Sequence, residues 1–155
     1  MKTQTVIPLQ SNLCEIDILY KNKVKSSELV KVSCSTDVYE YLIKAWSPHL
    51  DRIEEFMILC LNRANKILGW AKISQGGLSG TVADPKVIFQ IALKANASCI
   101  ILAHNHPSGN IKPSDADIKL TQKIKNAGEM LDLPVIDHII LSDEGYYSFA
   151  DEGNL

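Results

Sequence analysis

Residues 54–62, EEFMILCLN, form a short and nearly continuous apolar run. Side chains along a strand alternate between faces, so such a run is expected of a strand covered on both sides. It requires one apolar layer above a sheet and another below it. Cys99 to Ala103 repeats the requirement and reads as the central strand. At 155 residues and 46% hydrophobic, the chain suits one compact domain with a real core.

The remaining segments fall around these two. Residues 1–13 carry little pattern and read as an arm or an edge strand. Glu15 to Tyr20 alternates polar and apolar residues, as a half-buried strand does. A Lys-rich connection, Lys21 to Lys25, leads to a second β-prone piece, Leu29 to Cys34. Ser35 and Thr36 offer caps for a helix through Trp46, with Val38, Tyr41, Leu42 and Ala45 on one stripe, and Ser47-Pro48 ends it. Asn62 to Asn65 is a turn, and Lys66 to Ile73 returns as the second strand of a hairpin. The glycine-rich stretch Gln75 to Gly80 lacks the Gly-Lys-Ser/Thr ending of a phosphate loop and reads as a flexible connection. Asp84-Pro85 opens a helix to about Ala95, burying Val87, Ile88, Ile91, Ala92 and Ala95. A further helix, Ser114 to about Leu131, buries Ile118, Thr121, Ile124, Ala127 and Leu131. Leu133-Pro134 breaks it, Val135 to Leu141 is a strand, and Asp143-Glu144-Gly145 turns into Tyr146 to Phe149. The order ββαββαβαββ predicts a single-domain α/β protein with a mixed sheet flanked by helices. Residues 1–50 supply an arm, strands and a helix packed on a core of residues 51–155.

Composition narrows the function. A net charge of −2 and a pI near 6.1 give no global attraction to nucleic acid, and Lys119, Lys123 and Lys125 read as solvated helix surface. Cys14, Cys34, Cys60 and Cys99 are widely spaced without a Cys-x-x-Cys pair, so neither a disulfide framework nor a cysteine zinc knuckle is expected. No signal-peptide core and no membrane-length apolar run is present, which predicts a protein of the reducing cytoplasm with no membrane partner.

The chemistry concentrates in ILAHNHPSGNIKPSDAD. His104 and His106 lie two residues apart at a strand end, so both imidazoles can point at one spot. Pro107, Ser108 and Gly109 turn the chain, Ser114 reads as a helix N-cap, and Asp117 falls in the first helical turn. Asn105 and Ser108 read as loop-shaping. Three ligands with a fourth position open is the catalytic form of a zinc site. The plainer alternative is two satisfied histidines beside an ordinary capping box, Ser114-x-x-Asp117. A zinc deaminase is excluded, since His-x-Glu and Pro-Cys-x-x-Cys are absent, and so is a His-Glu-x-x-His protease. Asp137 and His138 could extend a metal site, but in an apolar strand they read as structural or as supports behind the ligands.

His104-Asn105-His106, seven residues, then Ser114-Asp115-Ala116-Asp117 resembles the JAMM motif of the MPN/JAB metallopeptidases, His-x-His-x7-Ser-x-x-Asp. The wording HNHPSGN…PS..D is similar to the RadC-like JAB-domain proteins of bacteria. The similarity runs from about Asp51 to Gly153, taking in EEFMILCLN, DPKVIFQIALKANA, DHIIL and YYSFADEG. The resemblance implies a JAB/MPN, cytidine-deaminase-like fold. It implies zinc held by His104, His106 and Asp117 with water as the fourth ligand. Glu54 takes the place of the family's glutamate base, with Glu55 the adjacent alternative on the opposite strand face. Ser114 takes the place of the residue that supports the oxyanion of the tetrahedral intermediate. The reaction implied is amide or isopeptide hydrolysis of a peptide or protein substrate. No helix-hairpin-helix precedes the core, so DNA binding is not inherited, and no substrate-gripping insertion is evident, so the substrate stays open. The alternative function is a non-catalytic RadC-like accessory module in DNA repair or mobile-element biology.

Overall fold

The two apolar runs become neighbouring strands at the centre of one mixed sheet. The computed structural model describes residues 24–76 and 83–155. Its elements, in chain order, are α1 (Ser35–Ala45), β1 (Glu55–Leu61), β2 (Ile67–Gln75), α2 (Pro85–Lys94), β3 (Cys99–Asn105), α3 (Asp115–Met130), β4 (Val135–Leu141) and β5 (Tyr146–Ser148). The strands lie side by side as β2-β1-β3-β4-β5. The β3–β4 pair is parallel, joined by the crossover helix α3, and the other neighbours are antiparallel. This is the expected α/β arrangement.

Every residue of β1 and of β3 is buried, as the apolar runs require. Met57, Leu59, Leu61, Ile101 and Ala103 face α1, together with Val38, Leu42 and Trp46. Phe56, Ile58, Cys60, Ile100 and Leu102 face the other way, onto α2 and α3, with Ile88, Phe89, Ala92 and Ile124. Each large side chain buried in these two layers stabilises the fold by about 1.5–3 kcal/mol against exposure.

The helix ends are built by local chemistry. Asp84 accepts the Lys86 N–H ahead of Pro85, as expected. Both α2 and α3 close with a residue in the left-handed region, Asn96 at φ 51° and Asp132 at φ 52°. At the end of α3 the Leu133 and Asp132 N–H groups donate back to the Gly128 and Glu129 carbonyls, at 2.9 and 3.3 Å. This reversal satisfies carbonyls the helix leaves open, and it stops α3 before Leu133-Pro134 is reached. A Cβ on Gly128 would lie 2.6 Å from the Leu133 carbonyl oxygen, so the closure needs glycine there.

Several expectations shift. Glu15 to Tyr20 and most of Gln75 to Gly80 lie outside the described residues. Leu29 to Cys34 is not a strand: Lys31 makes one isolated antiparallel bridge to Lys66. Helix α1 takes Cys34 as its N-cap with no side-chain cap bond, leaving Ser35 inside the first turn. Instead Asp37 reaches back and accepts the Ser33 N–H at 2.7 Å. In α3 the packed face is Thr121, Ile124 and Gly128, while Ile118 and Leu131 are exposed. In α2 Val87 is likewise exposed and Phe89 is buried in its place. Among the described residues no helix is long and apolar enough to cross a membrane.

Candidate metal centre

His104 lies near the end of β3 on the α2/α3 face, 2% exposed, with its ring stacked on Phe56 at 5.9 Å. The chain leaves the strand at His106, whose N–H still donates to the Leu141 carbonyl of β4. It then turns tightly: the Gly109 N–H donates to the His106 carbonyl, and Gly109 sits at φ 77°, a conformation that favours glycine. The turn brings the Asn110 carbonyl oxygen to 2.6 Å from His106 Nδ1. Ser114 then caps α3, placing Asp117 at the third helical position with its carboxylate aimed back at the strand end.

The three side chains converge. His104 Nε2 and His106 Nε2 are 3.0 Å apart. Asp117 Oδ1 lies 3.2 Å from the first ring and Oδ2 lies 3.5 Å from the second. Ligand atoms at tetrahedral corners around zinc, each at 2.0–2.2 Å, would stand about 3.4 Å from one another. The observed separations match that spacing. Chemistry agrees with distance: a carbonyl can only accept, so His106 Nδ1 carries a proton and, in the neutral ring, His106 Nε2 presents a lone pair. A lone pair, a second imidazole nitrogen and a carboxylate facing one another at this range form a cage for a cation.

The charge state of the acid fits this. Burial alone would raise the Asp117 carboxyl, but the facing His104 and His106 rings and the Ser114 donors outweigh burial and hold it well below the usual carboxylate range. Asp117 is therefore ionised across the physiological range. The facing Asp117 carboxylate favours a second proton on the His106 ring and so pulls it upward, against the lowering effect of burial, with the Asn110 carbonyl and the Glu54 charge adding to the rise. The same negative field favours any positive charge at this point.

The two oxygens of Asp117 divide their work. Oδ2 accepts the Ser114 N–H at 2.7 Å and the Ser114 hydroxyl at 2.6 Å, while the Asp117 N–H returns to Ser114 Oγ. The capping box is thus real, and it leaves Oδ1 toward the rings. The capping box and a carboxylate oxygen turned to His104 are compatible in one residue.

Glu54 is half-buried one residue before β1, and its charge is felt at His106. Phe56, two positions on, stacks against His104, so the alternation of β1 gives Glu54 the metal-facing parity. Glu55 has the opposite parity, is fully buried, and pairs with Lys72.

Asn105, between the two histidines, proves to be more than loop-shaping. Its Oδ1 accepts the Glu55 N–H at 2.7 Å, and its Nδ2 donates to the Leu50 and Ile53 carbonyls at 2.7 and 2.9 Å. One buried amide therefore fastens the segment carrying Glu54 to the strand carrying the histidines. Replacing Asn105 by Ala strands one buried backbone donor and two carbonyls, each worth about 1–3 kcal/mol when left unpaired. Asn105→Ala is expected to lower the urea midpoint clearly, and an unchanged midpoint would show that the clamp contributes nothing. His138, read from the sequence with Asp137 as structural or a support behind the two histidines, does stand behind His104, and Thr121, read only as a buried helix position, joins it. His138 Nε2 lies 2.8 Å from His104 Nδ1, and Thr121 Oγ1 lies 2.6 Å from His138 Nδ1. Burial pushes the His138 ring well below its ordinary value. Asp137 faces the other side of the sheet, accepting from the Ser148 hydroxyl at 2.7 Å.

The family model described as RadC-like JAB domain matches residues 32–154. The chain belongs to the RadC-like JAB family. Relatives in it include UPF0758 proteins of Flavobacterium johnsoniae, 44% identical over 128 residues, and of Porphyromonas gingivalis, 42% identical over 136 residues. The first alignment covers 81% of this chain and 54% of the relative, and the second covers 86% and 60%. UPF0758 protein SH1266 of Staphylococcus haemolyticus is 35% identical over 127 residues, 82% of this chain and 55% of that protein. The chain thus spans a little over half the length of these curated relatives. The JAB match covers β1 through β5 and so takes in the His-His-Asp cluster, which could hold a metal ion.

Proposed function

We propose that this centre is a zinc site that hydrolyses an amide bond, in a peptide or an isopeptide linkage of a protein substrate. The observation that carries the reading is the convergence of His104, His106 and Asp117 at 3.0–3.5 Å. Two neutral rings and one carboxylate suit zinc among common divalent ions. Zinc bound there supplies Lewis acidity, polarising a carbonyl and acidifying water toward a pKa of about 7.

The chain's own groups do the rest. Glu54 takes the proton of the attacking water and returns it to the departing amine. Ser114, whose hydroxyl proton rests on Asp117 Oδ2, rotates that proton toward the oxyanion as negative charge develops. His104 is sealed in the core, while His106 and Asp117 keep 17% and 14% side-chain exposure, so substrate approaches from their side. The described cysteines, Cys34, Cys60 and Cys99, are all free thiols, which suits the reducing cytoplasm.

The test is cleavage of a peptide library by the purified chain. Cleavage is expected, abolished by a chelator and restored by added zinc. A chain that cleaves nothing at one equivalent of zinc but binds duplex DNA would replace this reading with the accessory-module one.

A further inference from the structure

Metal-binding histidines ordinarily donate their second ring nitrogen to a carboxylate, a carbonyl or water, which fixes the face turned to the metal. His106 follows that rule through Asn110. His104 does not: the partner of its Nδ1 is another imidazole, His138. An imidazole pair has no intrinsic direction, since either nitrogen can be the donor. Something further along must break the tie.

Thr121 does so. Its Oγ1 lies 2.6 Å from the Asp117 carbonyl oxygen, and a carbonyl only accepts, so the hydroxyl proton points there. The hydroxyl oxygen can then only accept from His138 Nδ1, at 2.6 Å. A neutral His138 with its proton on Nδ1 offers a lone pair at Nε2, and this must accept the His104 Nδ1 proton. His104 Nε2 is left bare, toward His106 and Asp117. Every proton in the chain is fixed by one carbonyl, and that carbonyl belongs to the residue whose carboxylate closes the cage. His138 has no room to turn: it is fully buried, stacked on Phe149 at 4.9 Å and tilted against Phe56 at 5.6 Å.

We propose that Thr121 and His138 are positioning residues that lock His104 in the Nδ1-protonated tautomer, so that two ligands, His104 and Asp117, are oriented by one hydrogen-bonded loop. The proposal rests on the metal-centre reading for its purpose but not for its test.

Long-range 15N–1H spectra of the metal-stripped 155-residue chain report each ring's tautomer directly. His104 and His138 are both expected as the Nδ1–H form. Competition for zinc against a chromophoric chelator gives the second readout. Thr121→Val keeps shape and removes the hydroxyl, and it is expected to weaken zinc binding about 10-fold or more and to mix the His104 tautomers. Thr121→Ser restores the hydroxyl and is expected to stay within about twofold of wild type, which mere packing at this position would not predict. His138→Phe keeps the ring stack and removes the acceptor, with a loss of about 10- to 100-fold. An Nε2–H tautomer at His104 in the wild type overturns the proposal, as does zinc affinity in Thr121→Val equal to that of Thr121→Ser. Should His138→Phe not fold, the threonine pair and the wild-type spectrum still decide. A wild-type chain that binds no zinc would end the hydrolase reading, while the spectrum would still decide the loop.

Discussion

Asp117→Asn is expected to leave a folded protein that no longer retains metal. The argument turns on the two carboxylate oxygens. Oδ2 holds the Ser114 N–H and hydroxyl, and an asparagine carbonyl can take over that cap. The amide NH2 then stands where Oδ1 was, 3.2 Å from His104 Nε2, and donates into the space the three acceptors share. A cation is replaced by two N–H donors. The substitution therefore removes the charge and blocks the cage while keeping the helix start, whose loss costs about 1 kcal/mol in ordinary N-caps. Metal content by elemental analysis should fall from near one equivalent to a trace. Affinity should drop by more than the roughly 10- to 100-fold typical of outer partners of a metal ligand, because a ligand itself is lost. The metal-stripped variant should still unfold in one cooperative transition, at a somewhat lower temperature than the wild type, because the favourable surroundings that hold the Asp117 carboxyl down are lost while the helix cap is kept. Retention of a full equivalent in Asp117→Asn would place the ion elsewhere and remove the basis of the hydrolase reading.

That the convergence of these three side chains could be read from sequence at all follows from how local their signals are. His104 and His106 share a spot because they sit two apart at a strand end, and Asp117 joins them because Ser114 starts a helix three residues earlier. The layers were legible for the same reason: an unbroken apolar run such as FMILCL has no polar face to turn outward. What escaped depends on pairing between distant segments. That His138 and not its neighbour Asp137 meets His104 follows only because β4 lies parallel to β3 with Leu102 opposite His138, a register with no trace in the residues nearby. The face of α3 was misjudged at Ile118 and Leu131 because its closest approach is made by Gly128, and glycine shows no apolar stripe. Asn105 reads as a loop residue from composition. Its use as a clamp appears only when Leu50, Ile53 and Glu55 are brought against it.

The choice between the adjacent acids, Glu54 and Glu55, yields the second large effect. Glu54→Gln is expected to bind metal with unchanged stoichiometry and to lose about 10²–10⁴-fold in kcat, the range that a positioned general base contributes. Glutamine keeps the length and the hydrogen bonding of the side chain but cannot take a proton from water, so substrate affinity should change far less than turnover. Glu55→Gln is the internal control, because its carboxylate points into the α1 layer, pairs with Lys72 through one oxygen, and leaves the other buried without a partner. Removing that charge eases the desolvation of a buried acid, and Lys72, with 35% side-chain exposure, can turn to solvent. Glu55→Gln should therefore confine its effect to stability and leave cleavage near wild type. The two variants differ by one position along a strand, and alternation alone separates their consequences. Cleavage lost in Glu55→Gln and kept in Glu54→Gln would mean that β1 enters the site with the opposite face, against the stacking of Phe56 on His104.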